Sequence, residues 1–130
     1  MTTKILMVDD EPDAELLFRQ NFRRELRKQK YEFLFAQSGE KALELLDGAE
    51  QPEVLVVLSD INMPGMGGME LLDEVKKRWP HLPVIMITAY GDTGTEAKAK
   101  EKGADQLVPK PVDFPQLKAA LASMVLEAAS

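Results

Sequence analysis

The chain has 130 residues, 45% of them hydrophobic, which is enough to form the core of one ordinary domain. It has no cysteine, which excludes disulfides, zinc–thiolate sites and cysteine nucleophiles and agrees with a reducing cytoplasm. A net charge of −6 disfavours direct binding to nucleic acid, and no apolar run approaches the roughly 20 residues of a membrane span. We therefore expect one cytoplasmic domain over residues 1–130, without membrane or nucleic-acid contacts.

Five short apolar segments are typical of strands buried in a parallel sheet. They cover residues 4–8, 31–36, 54–58, 84–88 and 106–108. Helical spacing of apolar residues predicts five helices after them. The first is long and covers 13–29; the second is opened by residues 38–41 and stopped by Gly48; the others cover 69–79, 95–102 and a last segment from Asp113. This alternation predicts an α/β fold, with helices on both faces of the sheet and a binding site at the carboxyl ends of the strands.

Polar residues stand at four of these strand ends. They are Asp9 and Asp10, Asp60, Thr88 and Lys110. An Asp-Asp pair alone is more often a helix cap, but the joint occurrence favours a shared site. Three converging carboxylates repel one another unless a hard cation binds, and oxygen ligands favour Mg²⁺ or Mn²⁺ over zinc. A lysine and a hydroxyl suit the remaining oxygens of a phosphoryl group, but spacing alone does not select which carboxylate is the nucleophile.

Four segments resemble the motifs of one family. They are residues 5–12 (Ile-Leu-Met-Val-Asp-Asp-Glu-Pro), 60–66 (Asp-Ile-Asn-Met-Pro-Gly-Met), 87–92 (Ile-Thr-Ala-Tyr-Gly-Asp) and 109–111 (Pro-Lys-Pro). In motif and interval the chain is similar to the receiver domain of two-component response regulators, from Lys4 to the last helix. The resemblance implies a flavodoxin-like, doubly wound sheet with strand order 2-1-3-4-5.

The resemblance also implies a role for each site residue. Asp60 would be the phosphoacceptor, Asp10 a direct magnesium ligand and Asp9 a ligand through water, with the Asn62 backbone carbonyl completing the protein's share. Lys110 and Thr88 would hold the phosphoryl oxygens.

Two further features follow from the family. The side chains of Asn62 and Tyr90 would lie near the hydrolytic water and influence the phosphoryl lifetime. The Lys110–Pro111 peptide bond would be cis.

Three positions depart from the family pattern. Leu107 stands where a Tyr or Phe usually couples to Thr88, so the resemblance does not extend to this aromatic coupling. The helix at 95–102 offers only alanines to the core, and we predict that it is loosely held and mobile. Gly67 replaces a common Asp or Asn cap, at a cost of only about a few tenths of a kcal/mol.

The first predicted helix is basic in its last turns. Its cluster consists of Arg19, Arg23, Arg24, Arg27, Lys28 and Lys30. A solvated face is one interpretation. A docking surface for an acidic partner is the other, because the family's kinase or phosphotransfer partners usually contact this helix. The single histidine, His81, is interpreted as a loop residue.

Three functions agree with these observations. In the first, a histidine kinase or histidine phosphotransfer protein phosphorylates Asp60, and the face formed by the fourth helix, fifth strand and fifth helix transmits the change to an output domain, a downstream protein or a second copy. The second is a docking module that works without phosphorylation. The third, a hydrolase, lacks a second acid placed as general base, so we expect no enzyme beyond slow self-phosphorylation and autodephosphorylation.

Overall fold

The computed structural model describes residues 3–47, 54–63, 65–88 and 93–129, with side chains to residue 127. The strands are β1 (Thr3–Val8), β2 (Tyr31–Ala36), β3 (Val54–Asp60), β4 (Val84–Thr88) and β5 (Gln106–Pro109). The helices are α1 (Pro12–Asn21), α2 (Arg23–Arg27), α3 (Gly39–Asp47), α4 (Gly68–Arg78), α5 (Thr93–Glu101) and α6 (Phe114–Ala129). Gly48 and Tyr90 lie outside the described residues.

The five strands form one parallel sheet in the order β2-β1-β3-β4-β5. This order confirms the predicted doubly wound, flavodoxin-like fold. Strand β4 is buried along its whole length, whereas the edge strand β5 is partly exposed. Because all strands run the same way, their carboxyl ends meet at one end of the sheet.

Helices cover both faces of the sheet and form two cores. One core contains apolar side chains of α3, α4 and α5, including Leu46, Leu72 and Ala99. The other joins α1 and α6 to the sheet and is rich in aromatic rings: the ring centroids of Phe22 and Phe33 lie 4.9 Å apart. The alternating sequence pattern thus becomes a three-layer domain.

The prediction of one helix over residues 13–29 was wrong in one respect, because the structure contains two helices there, separated at Phe22. The backbone at Phe22 has φ −101° and ψ 18°, although its amide still donates to the carbonyl of Phe18. The separation falls where the fully buried Phe22 ring packs among the rings of Phe18, Phe33 and Tyr31. The domain therefore has six described helices rather than five.

Helix α5 has the sparse packing predicted from its alanines. Ala99 is its one buried side chain. No helix among the described residues combines the length and apolar character that crossing a membrane requires.

Candidate functional site

Three carboxylates meet at the carboxyl end of the sheet, as predicted. Asp60 is the last residue of β3 and is 4% exposed, while Asp9 and Asp10 follow β1. One oxygen from each of the three lies within 4.8 Å of the others. The neighbouring order of β1 and β3 brings these distant residues together.

Lys110 supplies the positive charge of this pocket. Its Nζ donates to Oδ2 of Asp60 at 2.8 Å, and its backbone amide donates to the carbonyl oxygen of Thr88 at 2.8 Å. Burial lowers the pKa of Lys110, but the hydrogen bond and charge of Asp60 outweigh it, so the pKa is raised and the ammonium is favoured. The Lys110–Pro111 bond is cis, which confirms the prediction.

Asp9 is partly buried beside other carboxylates, and its pKa is raised. Burial raises the pKa of Asp9, the Glu11 amide that donates to its Oδ1 at 3.0 Å lowers it, and the charge of Asp60 raises it again. The net direction is upward. A cation bound here would oppose this effect.

The other predicted site residues lie around the same carboxylates. Thr88 is the last residue of β4 and is buried. The backbone amide of Asn62 donates to Oδ1 of Asp60 at 3.1 Å, so the loop after β3 bends around the acid. Tyr90, the other predicted modulatory residue, is outside the described part of the chain.

The oxygen donors fit a small, hard cation. Magnesium–oxygen bonds of about 2.0–2.1 Å put octahedral ligands roughly 3 to 4 Å apart. Carboxylate oxygens within 4.8 Å of one another can reach that spacing with small side-chain adjustments. Asp9, Asp10 and Asp60 are therefore suited to Mg²⁺.

Gly68, the first residue of α4, belongs to the site although it was not predicted to. A Cβ at this position would collide with the carbonyl oxygen of Asp60 and would lie 2.7 Å from Cα of Ile61. The Gly68 amide also donates to the carbonyl of Ile61 at 2.9 Å. The pair Gly67-Gly68 at the start of α4 was the sequence signal for this close approach. Helix α4 can begin directly against the Asp60 backbone only because residue 68 has no side chain.

Glu40 was also missed. Its Oε1 accepts a hydrogen bond from the Met66 amide at 3.1 Å, which ties the start of α3 to the loop after Asp60. The two residues are 26 positions apart, and no local pattern indicates this contact.

Leu107 and Gly67, which depart from the family pattern, lie in different parts of the structure. Leu107 is partly buried and packs on the core that contains Met86 and Ala99. Gly67 caps α4 without a side-chain hydrogen bond.

His81 is exposed in the turn before β4, as predicted. The six basic residues of the first predicted helix are all exposed.

Comparison with known proteins agrees with this geometry. The family model described as "Response regulator receiver domain" matches residues 5–122. The response regulator protein FleR of Pseudomonas aeruginosa is 35% identical over 113 residues, which are 87% of this chain and 22% of FleR. The chain thus spans about a fifth of that relative's length.

Solved structures match almost the whole chain. A response regulator receiver domain protein from Clostridium thermocellum gives a TM-score of 0.85 at 29% identity, covering 98% of this chain and 97% of the other. The response regulator TrrA from Thermotoga maritima, in complex with Mg(2+)-BeF, gives 0.77 at 31% identity, covering 95% and 99%. The chain therefore belongs to the response regulator receiver domain family, the signalling domains of two-component systems.

Proposed function

We propose that Asp60 accepts a phosphoryl group in a magnesium-dependent reaction and that a histidine kinase or histidine phosphotransfer protein donates it. The observation that carries this proposal is the pairing of a nearly buried Asp60 with Lys110, beside two further carboxylates. The neighbour TrrA was solved in complex with Mg(2+)-BeF, and this complex supports the magnesium dependence that we propose. The domain is taken to extend over residues 1–130.

Each residue of the pocket has its own role in phosphoryl transfer. An Asp60 oxygen forms a bond to phosphorus while the bond between phosphorus and the donor imidazole nitrogen breaks, and the imidazole keeps the electron pair and is protonated. Lys110 holds a phosphoryl oxygen through its ammonium, and Thr88 does so through its hydroxyl. Asp9, Asp10, Asp60 and the Asn62 carbonyl would hold Mg²⁺, or alternatively Mn²⁺, which when bound neutralises charge on the phosphoryl oxygens.

The face formed by α5, β5 and α6 is proposed to transmit the phosphorylated state to an output domain, a downstream protein or a second copy. Helix α5 has little buried surface to lose when it moves, since Ala99 is its one buried side chain. A modest free-energy change on phosphorylation of Asp60 is then enough to shift the position of α5. Leu107 and Pro111 belong to this face and modulate the coupling, as Tyr90 modulates hydrolysis. The chemistry beyond phosphoacceptance is limited to slow self-phosphorylation and autodephosphorylation.

Intact-mass spectrometry after incubation with Mg²⁺ and a small phosphodonor tests the proposal. We expect one added phosphoryl group, which disappears in Asp60→Asn and when the cation is chelated. Asp13→Asn is the matched control, because Asp13 is an exposed acid on α1. Absence of an adduct, or an equal adduct in Asp60→Asn, would contradict phosphoacceptance and favour a docking module that works without phosphorylation.

A further inference from the structure

Helix α2 and the turn after it present a concentrated positive charge. Arg23, Arg24, Arg27 and Lys28 are exposed and form no side-chain hydrogen bond or ion pair with another described residue. We call these four residues the α2 basic surface. Several basic residues elsewhere are paired with acids: Arg78 lies 2.7 Å from Asp47 and Lys102 lies 2.7 Å from Asp73. In a chain of net charge −6, these unpaired cations stand out.

The acid within α2 is paired with a residue of another helix. Glu25, within α2, is turned inward with its side chain 19% exposed, and its Oε2 lies 3.3 Å from Nζ of Lys118 on α6. The positive potential of the surface is therefore not neutralised from within α2.

The α2 basic surface is far from the phosphorylation pocket. The amide of Thr3, the first residue of β1, donates to the carbonyl of Lys30, whereas Asp9 follows the last residue of that strand. A strand of six residues spans about 20 Å, more than twice the Debye length of about 8 Å at physiological ionic strength. Cations at this distance contribute little to guiding a phosphodonor to Asp60.

The backbone holds the surface in a defined arrangement. Phe22 is fully buried beneath it, and the amides of Lys28 and Lys30 donate to the carbonyls of Arg24 and Glu25. Arg23 and Arg27 are four positions apart, as are Arg24 and Lys28, so the cations form two short rows. Three of the four are arginines, which bind carboxylates in a bidentate geometry.

We propose that the α2 basic surface binds an acidic segment of a partner protein, at a site separate from the phosphorylation pocket. A short segment matches the small extent of the patch. A longer polyanion such as DNA or an anionic membrane would also approach the remaining, net acidic surface and be repelled. The aromatic rings of Phe22 and Tyr31 beside the patch are buried, so they offer nothing for base stacking or membrane insertion.

Fluorescence anisotropy with three probes tests this proposal: a glutamate-rich helical peptide, a DNA duplex and vesicles containing phosphatidylglycerol. At physiological ionic strength we expect the peptide to bind best and to weaken as salt is raised. Reversal of three cations, in Arg23→Glu/Arg24→Glu/Arg27→Glu, should weaken peptide binding by about tenfold or more. Asp60→Asn should leave it unchanged, because the two sites are separate.

A matched control changes the same amount of charge elsewhere. Lys77→Glu/Lys98→Glu/Lys100→Glu alters three exposed lysines of α4 and α5 and should reduce peptide binding much less. The neutral variant Arg23→Gln/Arg24→Gln/Arg27→Gln serves if the reversed one does not fold. Amide chemical shifts should change around residues 23–30. Equal loss in the control, shifts centred elsewhere, tighter binding of DNA or vesicles, or no binding of any probe would overturn the proposal.

Discussion

Helices α4 and α5 cover the same face of the sheet but are held to it very differently. Helix α4 buries Leu71, Leu72 and Val75 completely, whereas α5 buries one alanine, Ala99. An exposed ion pair of 2.7 Å joins Asp73 of α4 to Lys102, the residue that follows α5. We infer that α4 holds the Asp60 backbone in place, whereas α5 can move at a small cost in free energy.

The largest expected effect is on the rigid side of this comparison. Leu72→Ala in α4 should lower the free energy of unfolding by about 2–5 kcal/mol, because it removes buried methyl groups and leaves a cavity. Ala97→Gly on exposed α5 should cost no more than about 1 kcal/mol. Urea unfolding monitored by circular dichroism measures both. Similar losses for the two variants would remove the distinction between the helices.

Replacing glycine by alanine at two positions should change the free energy of unfolding in opposite directions. Gly68→Ala in α4 should destabilise by about 1–3 kcal/mol and weaken Mg²⁺ binding, because its methyl group would push on the Asp60 carbonyl. Gly94→Ala in α5 should stabilise by about 0.5–1 kcal/mol, since its Cβ meets nothing within 4 Å. Thermal unfolding and magnesium titration check the pair. A neutral Gly68→Ala would mean that α4 does not constrain Asp60.

Asp9→Asn tests the electrostatics of the pocket whose Asp60 backbone lies against the start of α4. The pKa of Asp9 is raised, mainly by burial, so the stability that its proton contributes is present at low pH and is lost as the pH rises through the raised pKa. At neutral pH without Mg²⁺, the variant should therefore be more stable than the parent, by less than about 1 kcal/mol because Asp9 is only half-buried. The gain should vanish in acid, and added Mg²⁺ should stabilise the parent more than the variant, which keeps Asp10 and Asp60. Urea midpoints across a pH series measure this.

The smallest effect should come from Asp73→Asn, which removes the partner of Lys102. An exposed pair contributes at most about 1 kcal/mol, so global stability should hardly change. Because α5 has few other attachments, its amide hydrogens should nevertheless exchange faster, while those of α4 keep their protection. Unchanged exchange in α5 would show that the ion pair does not restrain it. Equal protection of both helices in the parent protein would contradict the prediction of a loosely held α5.

Much of the fold could be predicted from local patterns. Runs of apolar residues such as the one in β3 indicate buried strands, and strict alternation with helices requires parallel pairing. The exceptions involve packing at a distance. Nothing in the periodicity around Phe22 predicts the separation of α1 from α2, which coincides with the ring cluster formed with Phe33 and Tyr31.

The functional site also contains residues that the sequence predicted and residues that it did not. Motif and topology indicated Asp9, Asp10, Asp60, Thr88 and Lys110, because each stands at the end of a strand. Glu40 and Gly68 were missed because their roles depend on which backbone lies against them: the Met66 amide for Glu40 and the Asp60 carbonyl for Gly68. Such contacts arise only when separate elements pack.

Residue type and local order alone specify the fold class, the family and the chemical character of the pocket. Properties that depend on distance arise only when the elements pack together. These include the 2.8 Å contact of Lys110 with Asp60, the close start of α4, and the position of the α2 basic surface at the opposite end of the sheet. The physical reason is that local periodicity specifies individual elements, whereas the relation of one element to another depends on how their side chains pack.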